Sequence, residues 1–238
     1  MKIKINKVGV NTNNMRLNLS IWVLAAASAS GLFAQQTTES HMPVTLGFKV
    51  GIPVTDMFSA SNTTLFNGNL PGSSYTSSVP RYEFGVSAEF HLPYHLRFEV
   101  DGLYKRAGYA NSSLFSTGTG YYTTNMNVFE VPGLFKYNIA MGHFRPFVDF
   151  GASLRHISTI KTVSDLPGFS SEFITDNAAA LSNRNSFGGV AGFGITFKKG
   201  PIEISPEARY TRWANQSFSA MGLRTNLDQG DVLLGITF

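Results

Sequence analysis

The chain has 238 residues, with 19 Lys and Arg against 15 Asp and Glu, and no cysteine. The lack of cysteine excludes disulfide-stabilised scaffolds and thiolate metal centres. Four of the 19 basic residues, Lys2, Lys4, Lys7 and Arg16, fall within residues 1–34, which hold no acid, so the remainder carries 15 basic against 15 acidic residues. A chain that is neutral beyond its first segment lacks the basic face that nucleic-acid binding needs, and no nucleic-acid partner is expected.

Residues 1–34 have the three parts of a secretory signal peptide: a basic start, an apolar run from Leu17 to Ala34 and small residues before the cut. Cleavage falls between Ala29 and Ala34, with the later site preferred, and Met15 is an alternative start to Met1. The nine residues 35–43 form a short extension, too few for a cell-wall anchor, and 44–238 form one domain. No later segment is apolar for the ~20 residues that a membrane helix requires. To span a membrane, such a chain must close into a barrel, the other fold that satisfies every backbone N–H and C=O away from water.

Period-2 alternation, the signature of a strand with two unlike faces, recurs along the domain. First, Val44, Leu46, Phe48, Val50 and Ile52 oppose Thr45, Gly47, Lys49 and Gly51. Residues 80–92 are the clearest case, with Tyr82, Phe84, Val86, Ala88 and Phe90 opposite Arg81, Glu83, Gly85, Ser87 and Glu89. After a tight turn at Pro93-Tyr94, Leu96, Phe98, Val100 and Tyr104 oppose Arg97, Glu99, Asp101, Leu103 and Lys105. Then Phe129, Val131, Phe135 and Tyr137 oppose Glu130 and Lys136, and Val148, Phe150, Ala152 and Leu154 oppose Arg145, Asp149, Ser153 and Arg155. Phe187, Ala191, Phe193 and Phe197 face away from a glycine-rich parity; Ile202, Ile204, Ala208 and Tyr210 oppose Glu203, Glu207 and Arg209; Val232, Leu234, Ile236 and Phe238 oppose Asp231. These segments predict an all-β fold, an eight-stranded antiparallel up-and-down transmembrane β-barrel.

The connections alternate in length. Residues near 55–79, 108–123, 158–185 and 214–228 read as four long polar loops, whereas those near 92–94, 139–143 and 198–200 are short. Long extracellular loops and tight periplasmic turns have this order, which puts both ends of the domain on the periplasmic side.

Charge decides which face meets lipid. The polar parity carries Lys49, Arg81, Arg97, Lys105, Lys136, Arg145, Arg155 and Arg209 with Glu83, Glu89, Glu99, Asp101, Glu130, Asp149, Glu203, Glu207 and Asp231, which is 17 of the 30 charges beyond residue 34. A soluble barrel would turn the crowded aromatic parity inward, into an interior too narrow for it. The charges are therefore expected inside as a paired network that plugs the lumen, and the aromatics outside against lipid. Arg106 and Arg212 break this rule; they fall on the lipid parity at strand ends placed at the outer surface, where they either contact lipopolysaccharide or simply snorkel.

Three stretches, Phe129-Glu130-Val131-Pro132 through Lys136-Tyr137, Arg145-Pro146-Phe147-Val148 through Gly151, and Pro206 through Trp213, together with the terminal Val232–Phe238, resemble the bacterial outer-membrane protein β-barrel domain family, especially its PorT-like members. The resemblance implies a location in the bacterial outer membrane, among its lipid and lipopolysaccharide. It also implies that the terminal Phe238 is an insertion signal read by the barrel-assembly machinery.

No cofactor is expected. His156 with Ser158, Asp165 and Asp176 is the one His-centred grouping suited to hydrolysis on the outer side, but such residues are common in polar loops and nothing in their spacing sets a geometry. His91, His95 and His143 gather at the periplasmic rim without metal-ligand spacing, and Gly188, Gly189, Gly192 and Gly194 lie on a strand with no helix after it, which fits close packing better than a phosphate loop. The expected function is non-enzymatic: surface interaction with an extracellular partner of unknown kind, or envelope structure. An outer-membrane lipid hydrolase or acyltransferase and a narrow channel are the alternatives.

Overall fold

The structure, a computed structural model, describes residues 44–60, 73–77, 82–115, 118–139, 143–166, 169–175, 181–220 and 223–238. The signal peptide, its cleavage site, residues 35–43, Arg81 and Asp176 lie outside the described residues.

Eight strands make the wall: β1 (Val44–Pro53), β2 (Glu83–His91), β3 (Leu96–Phe115), β4 (Gly118–Asn138), β5 (Phe144–Leu166), β6 (Asn185–Lys199), β7 (Ile202–Trp213) and β8 (Asp228–Thr237). Each pairs antiparallel with the next in sequence. The ring closes between β8 and β1, with Phe48 opposite Ile236 and Ile52 opposite Val232. The wall is therefore an up-and-down barrel without an open edge, which leaves no row of unpaired backbone groups facing hydrocarbon.

Burial follows the two-residue period. Along β1 the exposed Leu46, Phe48 and Val50 flank the buried Gly47 and Lys49, and along β7 Ile204, Pro206 and Tyr210 point out while Glu203, Ser205, Glu207 and Arg209 point in. The outer face is apolar and aromatic: Phe193 is 66% exposed and Phe150 61%. Direct cross-strand neighbours pack tilted rings together, Phe90 with Phe98 (6.3 Å), Phe98 with Phe135 (5.1 Å) and Phe135 with Phe150 (6.1 Å), and a second tier runs Phe84, Tyr104, Phe129. Such rings bury their area only in a lipid environment.

The turn between β2 and β3 holds Tyr94 and His95 at φ of 62° and 65°, the left-handed region that paired hairpin turns demand and that Asn-Gly ordinarily supplies. Keeping two bulky residues there costs about 1–3 kcal/mol each. The turn is held by Leu92 N–H to the Leu96 carbonyl (2.9 Å) and by Asn138 N–H to the His95 carbonyl (3.0 Å).

Two segments expected to be loops are largely strand. β3, β4 and β5 run for 20, 21 and 23 residues, against the ~9–11 that cross a bilayer. β3 and β4 stay paired to Phe115 opposite Gly118, strand Phe169–Thr175 pairs back along β5, and strand Ser73–Ser77 pairs with β3. A five-stranded sheet thus continues the wall beyond its outer rim. Ser and Thr that made these stretches look like loops bond across it, as in Thr124 to Thr162 (3.1 Å) and Ser164 to Ser171 (2.9 Å).

Candidate functional site: a plugged and capped lumen

Inward parity alone delivers the charges to the lumen; side chains from different strands then join into layers. All sixteen described members of the predicted set are buried. The layer nearest the short turns centres on Glu203, which accepts from Arg97 (3.0 Å) and Arg145 (2.5 Å) and pairs with Lys198 (3.3 Å). Register sets Glu89 directly opposite Glu99 on β2 and β3, a like-charge pair. The conflict is resolved from β4, where the Lys136 ammonium reaches both carboxylates, and Arg97 donates to Glu89 at 2.6 Å.

Glu99, fully buried, is the hub of the middle layer. It accepts from Lys49, Lys136 and Arg209, while Lys49 also reaches Asp101 (3.1 Å) and Glu207 (3.0 Å) and Arg209 reaches the same two (3.0 and 2.6 Å). Asp149 sits beside this layer opposite Gly192, and neither of its oxygens has a hydrogen-bond partner among the described residues. A Cβ at Gly192 would lie 2.6 Å from Asp149 Oδ1, and one at Gly194 would lie 2.5 Å from the Phe147 ring. The glycines of β6 thus make room for inward side chains on β5.

In the outer layer Lys105 holds Glu83 (2.9 Å), Glu130 (2.9 Å) and Asp231 (3.2 Å). Arg155 donates to Glu130 and Gln229 and lies 3.6 Å over the Trp213 ring, whose N–H donates to the same Gln229 oxygen at 3.1 Å. Burying this many ions in a low-dielectric space is tolerated only because nearly every one has a partner of opposite sign.

Above the charges the lumen turns apolar. Tyr109, Met126, Val128, Ile157 and Ile160 from the wall meet Phe58, Phe218 and Leu223 from the loops, with Phe58 edge-on to both Tyr109 (5.3 Å) and Phe218 (5.4 Å). Val128 faces Ile157 but Met126 faces Ile160, so two residues of β5 span one of β4. This bulge brings residues three apart onto the same inner face. A small sheet of Phe58–Ala60, Leu223–Thr225 and Ser219–Ala220, with a bridge from Leu181 to Phe218, ties three loops together over the mouth. Between cap and charges lies a cavity of about 40 Å³ bordered by Lys105, Glu130, Arg155, Gln229, Met57 and Phe58, space for about three waters. Sequence reasoning missed this cap; the visible signals were isolated apolar residues in polar loops and an inner parity of β4 that is uncharged from Thr124 to Val128, before Glu130.

The other candidate residues stay apart. His156 points outward with Nδ1 2.6 Å from the Asn185 side-chain oxygen. Ser158 lies on the bulge with its carbonyl accepting from Arg184, and Asp165 is seven positions further along the same strand, roughly 23 Å away at ~3.3 Å per residue. His91 Nδ1 is 3.4 Å from Thr45 Oγ1, and no group of three His, Cys, Asp or Glu among the described residues is arranged to hold a metal. Arg106 and Arg212 are both exposed; Arg212 pairs with Asp228, to which Tyr210 also donates. Phe238 lies on the outer face against Phe48.

The model of the outer membrane protein beta-barrel domain family matches residues 33–218, and the chain belongs to this family. The match is to the family and does not single out its PorT-like members. It places the protein in the bacterial outer membrane. No curated protein matches the chain. Among solved structures, Neisserial surface protein A is similar at 15% identity over 82% of this chain and 94% of its own, with a TM-score of 0.43. Ail, the attachment invasion locus protein of Yersinia pestis, solved with the heparin analogue sucrose octasulfate, is similar at 11% identity over 82% and 98%, with a TM-score of 0.39. The outer membrane protein AlkL in lipid bilayers matches at 10% identity over 86% and 94%, with a TM-score of 0.42. At these scores the fold rests on the strand pairing above rather than on the neighbours.

Proposed function

We propose that this barrel is a non-conducting, non-enzymatic surface protein whose extracellular sheet and laced loops meet a partner outside the cell. The observation that carries the reading is the double occlusion of the lumen: three layers of paired charge, hubbed on the buried Glu99, beneath an apolar cap. An interior that eight strands leave just wide enough for side chains has no free path once those side chains lock together. The protein then offers the outside only its upper sheet and cap. Phe238 at the end of β8 supports handling by the barrel-assembly machinery during insertion.

Two measurements test this. In planar bilayers the folded protein is expected to give no conductance steps; regular steps would restore the channel reading. A strain lacking the protein is expected to lose surface adhesion or envelope integrity, regained with the intact chain but not with one whose 108–123 hairpin is cut back to a short turn. An unaltered deletion strain overturns the surface role.

A further inference from the structure

The two arginines that break the outer-face rule stand on opposite sides of the barrel, on β3 and β7, and differ in one respect. Arg212 is neutralised in place, its guanidinium on the Asp228 carboxylate beside the Tyr210 hydroxyl. Arg106 is exposed, and makes no ion pair or hydrogen bond with any described residue. It stands one outward position beyond Tyr104, whose ring packs on Phe129 at 5.4 Å in the outer aromatic tier. At that height the outer face changes from apolar to polar: register sets Arg106 against Asn127 on β4, and Asn125 against Lys161 on β5. The Tyr104 hydroxyl donates to the Asn127 amide oxygen (2.9 Å), which leaves the amide nitrogen to donate elsewhere.

We propose that the face of β3 and β4 around Arg106 and Asn127 docks the phosphate of an outer-leaflet glycolipid. A guanidinium on the lipid side needs an anion that no described residue provides, and at the outer edge of an apolar belt the lipid head groups are at hand. Its planar fork suits two phosphate oxygens at once. The opposite face, where Asp228 already satisfies Arg212, has no such demand. The inference concerns the membrane-facing wall and stands apart from the extracellular partner proposed above.

The test is binding of the folded mature barrel to mixed micelles containing lipid A or its dephosphorylated form. Wild type is expected to prefer lipid A. Arg106→Gln is expected to weaken lipid A binding about tenfold, the scale of one charged hydrogen-bonding pair, with Arg106→Lys recovering part of it. Arg212→Gln is expected to bind within about twofold of wild type, as is the barrel with its 108–123 hairpin cut back. Heat-modifiable mobility on a denaturing gel checks that each variant is folded. Equal loss from Arg212→Gln, no loss from Arg106→Gln, indifference to dephosphorylation, or full competition by millimolar inorganic phosphate would each overturn the proposal.

Discussion

The middle of the lumen and its outer end are filled by opposite chemistry. Between Glu203 and Lys105 the space is held by ions, each useful only while its partners are in place; between Met126 and Phe218 it is held by apolar contact that tolerates loss piecemeal. The charged layers draw on every wall strand, whereas the cap draws on the outer ends of β3, β4 and β5 and on loop residues. Damage to the first is therefore expected to reach the whole barrel, and damage to the second to stay near the mouth.

Four substitutions sharpen or break that contrast, in order of expected effect. Glu99→Leu takes one carboxylate from Lys49, Lys136 and Arg209 at once, leaving a surplus of buried positive charge, and is expected to cost ~3–5 kcal/mol of barrel stability, read as a lower urea midpoint for loss of heat-modifiable mobility. Phe218→Ala removes a ring from the cap, a loss of about 3 kcal/mol, expected as faster hydrogen exchange and proteolysis around residues 218–225 with the wall midpoint kept. If that midpoint fell as far as in Glu99→Leu, plug and cap would be one cooperative unit. Gly192→Ala presses a methyl on Asp149 Oδ1 and should lower the same midpoint by about 1–3 kcal/mol. Arg212→Gln breaks only an exposed pair and should leave the midpoint unchanged; a clear shift would give that rim a structural role.

The wall was legible because each strand answers to two solvents and must alternate: Phe84, Val86 and Ala88 could be separated from Glu83, Ser87 and Glu89 before any partner was known. Parity says which side a charge faces but not what it meets. Nothing in β2 or β3 announces that Glu89 and Glu99 stand opposite one another, or that Lys136 from β4 reconciles them. The cap was hidden for a different reason. Phe58, Phe218 and Leu223 come from loops far apart in the chain, and the bulge gives Ile157 and Ile160 a spacing of three, which no strand template reads as one face. The upper hairpins were missed because both of their faces meet water or hydroxyl partners, which erases the alternation.

The seam between β1 and β8 has a consequence in time. Gly47 stands in register opposite Thr237, so the first strand waits for almost the entire domain to be delivered before it has its final neighbour. Until then the growing sheet has two bare edges and an outer face of Phe and Val that water cannot solvate, the conditions under which strands from different chains pair by mistake. A chain built this way is expected to fare best if it is kept from pairing in water until its first and last strands can be brought together inside lipid.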